Sequence, residues 1–260
     1  MTAQATSSGG RMNKRPRILI LGGTGEAISL TTEAATRFDI VYSLAGRTIN
    51  PALPEGVTVR SGGFGGPDAL AAWINQNHIA AVIDATHPFA DRIAAHAVQA
   101  CADAEVPRLK LLRNAWEQTA GDAWHRVADI AAAASLLPTL GTRAFLSVGR
   151  QELGAFSDVA GVALVIRSID PPDATDRLKG AVYIAGRGPF TTAQESALLR
   201  EHDIDVLVSK NAGGAATYPK VAAAHAAGIP VIMIDRPPPQ PSPIVSDVTA
   251  AVAWLDRLGG

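Results

Sequence analysis

A chain of 260 residues with 47% hydrophobic and 18% charged residues has material for one large core or two ordinary ones, and its formal net charge of −1 supplies no global field toward nucleic acid or membrane. The single cysteine, Cys101, excludes an internal disulfide framework and a cysteine-based zinc site; it reads as a small buried residue, and no metal site is expected. Residues 1–16 are rich in Ser, Thr, Gly and Gln, lack the apolar core of a signal peptide and are expected to be a disordered lead-in, with Met12 an alternative start. With no long uncharged apolar run anywhere, the cytoplasm is the expected location.

From Arg17 the chain turns strongly apolar, then stops at Gly22-Gly23-Thr24-Gly25-Glu26-Ala27 and becomes helical. A buried parallel strand feeding a glycine turn and a helix reads this way. The glycines permit close backbone approach, and the helix directs free N–H groups at a phosphate, which points to a nucleotide. The dinucleotide fingerprint is only partly met, because Ile28 stands where a third small residue is expected.

A helix over 27–37 and a strand over 39–44 complete a βαβ unit. The second strand of such a unit ends at the adenosine ribose, where a carboxylate selects NAD. Here Ala45-Gly46-Arg47-Thr48 offers a guanidinium and a hydroxyl, which suits the 2′-phosphate of NADP; the bland alternative is a solvated loop arginine. A third strand over 56–60 ends in a loop whose Gly62 and Gly63 either line the cofactor or serve as loop slack, and Asp68 is the expected N-cap of a helix over 69–77. The fourth strand, over 79–85, delivers Thr86 and His87 above the sheet, with Pro88 holding His87 extended. A helix over 92–104 and a fifth strand over 106–112 follow. Residues 124–127 read as a sixth strand or a connector, and a helix over 130–137 runs into Pro138 and Gly141, where the domain boundary is expected.

From Arg143 the pattern restarts, with strands over 144–148, 162–167, 181–185, 205–209 and 230–235 alternating with helices over 192–201 and 219–227. The fold class is therefore α/β: two Rossmann-like domains with parallel sheets, residues 17–140 and 141–260, cofactor and substrate lying in the cleft between them. Arg150, Arg167, Arg187, Lys210 and Arg236 all follow strand ends of the second half, and the cationic rim they form suggests a polyanionic ligand. Two or three of the five are expected to be ordinary ion-paired or surface side chains. Pro237 to Pro243 reads as an extended connector and 246–258 as an amphipathic closing helix.

Taken together, the strand-end motifs resemble the precorrin-6A reductase family of cobalamin biosynthesis. The resemblance rests on Leu21-Gly22-Gly23-Thr24-Gly25-Glu26, Asp84-Ala85-Thr86-His87-Pro88-Phe89-Ala90, Val148-Gly149-Arg150-Gln151-Glu152-Leu153, Ala185-Gly186-Arg187-Gly188-Pro189-Phe190, Ser209-Lys210-Asn211-Ala212-Gly213-Gly214 and the run from Gly228 to Ile234, in the same order. Arg113-Asn114 departs from the family, which usually has a proline after the arginine, and leaves the role of Arg113 open.

The resemblance implies hydride transfer from NADPH to a double bond of precorrin-6A, a polycarboxylate tetrapyrrole, giving precorrin-6B. It implies Gly22, Gly23, Thr24, Gly25 and Glu26 at the cofactor phosphates and ribose, Glu26 accepting from ribose hydroxyls or capping its helix. Arg47 and Thr48 would lie at the 2′-phosphate, Gly62 and Gly63 alongside, and Thr86 and His87 toward the nicotinamide. Arg150, Arg187, Lys210, Asn211, Gly213 and Gly214 would receive the substrate. His87, Lys210 and Tyr218 are the proton donors by residue type, with His87 and Lys210 taken as the catalytic pair; the macrocycle or water could serve instead. A cobalt-bearing substrate, and a non-catalytic NADP-binding redox sensor, are the rival readings. A sugar-nucleotide or carbonyl reductase of the Tyr-x-x-x-Lys type is disfavoured, since Tyr218 precedes Lys220 at the wrong spacing. Transient contact with neighbouring pathway enzymes is compatible with all of this.

Overall fold

The computed structural model describes residues 15–46, 49–170, 172–238 and 240–258, so the expected cofactor residues Arg47 and Thr48 and most of the lead-in lie outside the described residues. In chain order the elements are β1 (Arg17–Leu21), α1 (Gly25–Ala34), β2 (Asp39–Leu44), β3 (Thr58–Ser61), α2 (Pro67–Gln76), β4 (Ala81–Asp84), α3 (Asp91–Asp103), β5 (Arg108–Leu111), β6 (Trp124–Val127) and α4 (Ile130–Leu136). They continue with β7 (Arg143–Ser147), β8 (Ala163–Ser168), β9 (Val182–Ala185), α5 (Thr192–Glu201), β10 (Val206–Lys210), α6 (Pro219–Ala226), β11 (Val231–Ile234), β12 (Ile244–Val245) and α7 (Val248–Leu258). Two 6-stranded sheets result, ordered β12-β5-β4-β1-β2-β3 and β6-β11-β10-β7-β8-β9. Among the described residues every strand pairing is parallel. Both sheets are Rossmann-like.

Alternation along β1 shows why its run is apolar throughout. Ile18 and Ile20 enter one core with Leu30 of α1 and Leu255 of α7, whereas Leu19 and Leu21 enter another with Leu70 and Ile74 of α2. Both faces of a parallel strand are covered by helices, so neither face can be polar. The second sheet repeats the arrangement: Leu146, Val208 and Ile232 pack with Ala133 of α4, and Phe145, Leu207 and Met233 with Leu199 of α5 and Val221 of α6. Each such side chain contributes about 1.5–3 kcal/mol on burial. Cys101 is buried in the α2–α3 layer, and burial pushes its thiol up to about 12, in keeping with a packing role.

Sheet membership does not follow the expected boundary at 140/141. β6 pairs with β11, Trp124 opposite Val231, and α4 packs Ala133 and Ala134 into the second core, so the second sheet recruits residues before 141. At the other end Ile244 of β12 pairs with Lys110 of β5, and α7 buries Ala251 and Leu255 in the first core. The proline segment after β11 is the return crossing. It lays its backbone along β5, where Pro243 O accepts from Lys110 N at 3.0 Å and Arg108 donates to Pro241 O, covering an otherwise unpaired sheet edge.

Two local expectations also shift. α2 starts at Pro67 with Gly66 at the cap position, because proline has no N–H to leave unsatisfied at N1; Asp68 therefore sits in the first turn, where its charge suits the helix dipole. The Gly149–Leu153 stretch is a 3-10 segment over Arg150–Phe156 that buries Leu153 and Phe156 in the second core.

Candidate active site

Ligands of open parallel sheets bind beyond the carboxyl ends of the strands, where strand order reverses. That point lies between β1 and β4 in the first sheet and between β7 and β10 in the second. The carboxyl edges of the two sheets face each other. Arg113, after β5, donates from Nε to Ala212 O at 2.7 Å and Gly213 O at 3.0 Å, after β10. Asn211 holds the Trp116 backbone, accepting its N–H at 2.8 Å and donating to its carbonyl at 3.0 Å. On the other flank Ile49 N donates to Asp170 Oδ2 at 3.0 Å, and Arg187 donates to Asn50 O.

At the first reversal point the glycines have distinct tasks. A Cβ on Gly22 would overlap the ring of fully buried Tyr42, whose hydroxyl accepts the Gly23 N–H at 3.0 Å, while Gly23 takes a φ of +109° that other residues rarely adopt. A Cβ on Gly25, Gly62 or Gly63 would meet nothing within 4 Å, leaving these backbones open to a ligand. Thr24 caps α1, its Oγ1 accepting from Ala27 N at 3.1 Å and donating to Ala85 O at 2.8 Å, which ties the β1 turn to the end of β4. Glu26 pairs with Arg113 at 2.9 Å. Glu26 thus has a structural partner that the sequence left unnamed, and the pair offsets its negative charge beside the α1 N-terminus. An open glycine turn, free helix N–H groups and a neutralised carboxylate fit a dinucleotide pyrophosphate.

Thr86 is placed differently from expectation. Its side chain is 8% exposed and belongs to a buried network: Oγ1 donates to Asp84 Oδ1 at 2.6 Å and accepts from Lys110 Nζ at 3.2 Å, and Lys110 pairs with Asp84 at 3.0 Å. The Thr86 backbone is engaged in the same network, the N–H donating to Asp84 Oδ1 at 3.1 Å and the carbonyl accepting from Lys110 Nζ at 3.4 Å. Nothing in the sequence near Asp84 or Lys110 marks their pairing, since the two lie on neighbouring strands 26 residues apart.

His87 is half-buried, its Nδ1 facing the Phe89 N–H at 3.3 Å. Burial, followed by the charges of Arg113, Lys210, Arg236 and Lys220, pushes its pKa down to about 3. This shift favours the neutral imidazole near pH 7. As pH falls below about 6.5 the unfolded chain takes up a proton at this residue that the folded chain refuses, so acid destabilises the fold through it. His87→Gln is expected to flatten the decline in stability between pH 6.5 and pH 4, measured by urea unfolding; an unchanged slope would show that the residue titrates normally.

The cationic rim is partly dismantled by its partners. Arg167 forms a bidentate pair with Glu195 at 2.7 and 3.0 Å, buried between Phe145 and Phe190. Arg236 donates to the carbonyls of Asn211, Ala212, Arg113 and Asn114. Both are structural. Asn211, Gly213 and Gly214 also belong to this junction: a Cβ on Gly213 would overlap Asn114 O and Arg236, and one on Gly214 would meet Arg113 Cδ at 2.7 Å. A tight crossing of two backbone segments gives these glycines a packing role. Lys210 pairs with Glu152 across the second reversal point and lies 4.9 Å from the Phe89 ring. Arg150 is exposed and, among the described residues, makes no hydrogen bond or ion pair, and Arg187 has only a carbonyl partner. Lys220, buried under Trp116 with its Nζ on Thr217 O at 2.8 Å, is lowered to about 8, chiefly by burial. No group of three or more His, Cys, Asp or Glu able to hold a metal occurs among the described residues. No helix among them is long and apolar enough to cross a membrane.

The family model described as precorrin-6x reductase CbiJ/CobK matches residues 17–256. A precorrin-6A reductase of Rhodococcus erythropolis is 49% identical over 93% of this chain and 98% of its own length. The precorrin-6A reductase of Mycobacterium tuberculosis is 44% identical over 93% of this chain and 98% of its own. A solved structure described as CobK precorrin-6A reductase superposes with a TM-score of 0.89 at 40% identity, covering 94% of this chain and 98% of the other. With a family match over residues 17–256, and relatives at 44–49% identity covered over nearly their whole length, this chain of two facing parallel sheets belongs to the precorrin-6x reductase family.

Proposed function

We propose that the chain is a cytoplasmic NADPH-dependent reductase of precorrin-6A that yields precorrin-6B. The observation that carries the reading is the juxtaposition of the two reversal points: an open glycine turn prepared for a pyrophosphate on one sheet faces basic groups on the other. Bound NADPH supplies the hydride. Gly23, Gly25 and the α1 N–H groups would hold the phosphates, Thr24 keeps that turn registered against β4, and the strand end at Thr86 and His87 would lie toward the nicotinamide. Neutral His87, with Nδ1 turned to the Phe89 N–H, has Nε2–H available to orient a carbonyl or ring nitrogen. Reduction of a double bond adds a hydride and a proton; we assign delivery of that proton to the Lys210 ammonium, which Glu152 orients through their ion pair. Arg150 and Arg187 receive carboxylate arms of the macrocycle.

Anaerobic incubation with NADPH and precorrin-6A, following both chromophores, tests the activity. Stoichiometric loss of NADPH with the macrocycle change is expected, and no turnover with either metal-free or cobalt-bearing substrate would refute it. Arg150→Ala/Arg187→Ala is expected to raise KM for the tetrapyrrole about tenfold or more while NADPH binding stays within about twofold. Unchanged KM would remove these residues from the substrate site.

A further inference from the structure

Arg60 is a charge with no assigned task. It lies near the end of β3, opposite Ser43 of β2 and two strands from β1 and its glycine turn. Its guanidinium lies 3.7 Å from the Phe64 ring centroid and 5.6 Å from that of Trp73. Nη1 donates to Ser43 Oγ and Gly62 O at 2.9 Å each, and Nη2 to Gly63 O at 3.2 Å. All three acceptors are neutral. Arg17, Arg37, Arg113, Arg126 and Arg167 each have a carboxylate, but no carboxylate pairs with Arg60 among the described residues. Burial also lowers its pKa, so part of its hydration has been given up without an anion in return.

Location says which anion would serve. The end of β2 is where this fold receives the adenosine ribose. The loops after β2 and β3 touch there, since a Cβ on Gly46 would lie 2.9 Å from Ser61 Oγ and 3.3 Å from Gly62 N. Half-buried Arg60 is held against this contact by an aromatic face and three hydrogen bonds, with Nε and one Nη2 hydrogen left over. A guanidinium immobilised in advance loses little freedom on meeting a phosphate.

We propose that Arg60 recognises the 2′-phosphate of the adenosine end and so sets the preference for NADP(H) over NAD(H). The proposal rests on the NADPH reading and adds to it a residue held by the folded sheet, distinct from Arg47 in the preceding loop. Calorimetric titration of the full chain with NADPH, NADH, 2′,5′-ADP and 5′-AMP tests it without turnover. Arg60→Gln is expected to weaken NADPH and 2′,5′-ADP by about 10- to 100-fold while NADH and 5′-AMP stay within about threefold, and Arg60→Lys should fall between. Retained NADH and 5′-AMP binding also shows that the variant is folded. Equal weakening of all four ligands, a misfolded Arg60→Gln together with an Arg60→Lys that keeps the full preference, or an Arg60→Gln that keeps it, would overturn the proposal and leave the NADPH reading standing. A parent protein without preference for NADPH over NADH would overturn both.

Discussion

Lys110→Met is expected to lower the unfolding free energy by about 3–5 kcal/mol, because it strands the Asp84 carboxylate in the core. Asp84 is 0% exposed and Lys110 4%, and Asp84 Oδ2 has no hydrogen-bond partner, so the ammonium is the main compensation for burying that charge. A loss of this size is a large part of the 5–15 kcal/mol or so typical of a folded protein. The double variant Asp84→Asn/Lys110→Met removes both charges, and most of the stability should return. Turnover should not return with it, since Thr86 would still lack the ammonium that bonds its hydroxyl and carbonyl at 3.2 and 3.4 Å. Urea unfolding of parent, single and double variants checks the first point and stopped-flow reduction the second. A single variant within about 1 kcal/mol of the parent would show that the pair is hydrated.

Gly22→Ala is expected to weaken NADPH binding about tenfold or more and to destabilise the fold by about 1–3 kcal/mol, the usual cost of an overpacked core. The added methyl would overlap the Tyr42 ring, and Tyr42 cannot retreat because it is fully buried between β1 and the α1–α7 layer. The turn must move instead, carrying with it the Gly23 N–H that Tyr42 holds. Gly25→Ala separates the two effects. A Cβ there meets no protein atom within 4 Å and Gly25 is the first residue of α1, so stability should be unchanged or slightly higher. On the proposed reading its methyl would meet the phosphates, so binding should still fall. Calorimetric NADPH titration beside thermal unfolding distinguishes them; a Gly25→Ala protein that binds NADPH as tightly as the parent would move the phosphate site away from this turn.

Much of the site was legible in the residues. β1, its glycine turn and the strand end at Thr86 and His87 were expected where they are found, since an apolar run broken by glycine has few other structural meanings. The division of the five rim residues was also anticipated in kind, and Arg167 and Arg236 prove to be the structural members. What escaped were relationships between distant residues. Nothing local marks Asp84 and Lys110 as partners, or Glu26 and Arg113, and the glycines at 213 and 214 signal close approach without naming Asn114, Arg113 and Arg236 as neighbours.

The sequence by itself determined the two parallel α/β layers, the glycine turn after β1 and the family, because hydrophobic period and strand-end chemistry are local properties that survive in one dimension. Only the tertiary structure decided which sheet receives β6 and β12, and which cations are taken up by partners within the protein. A strand of two or four residues has no periodicity of its own, and a charge is defined by its surroundings; both depend on chain segments brought together from opposite ends of the molecule.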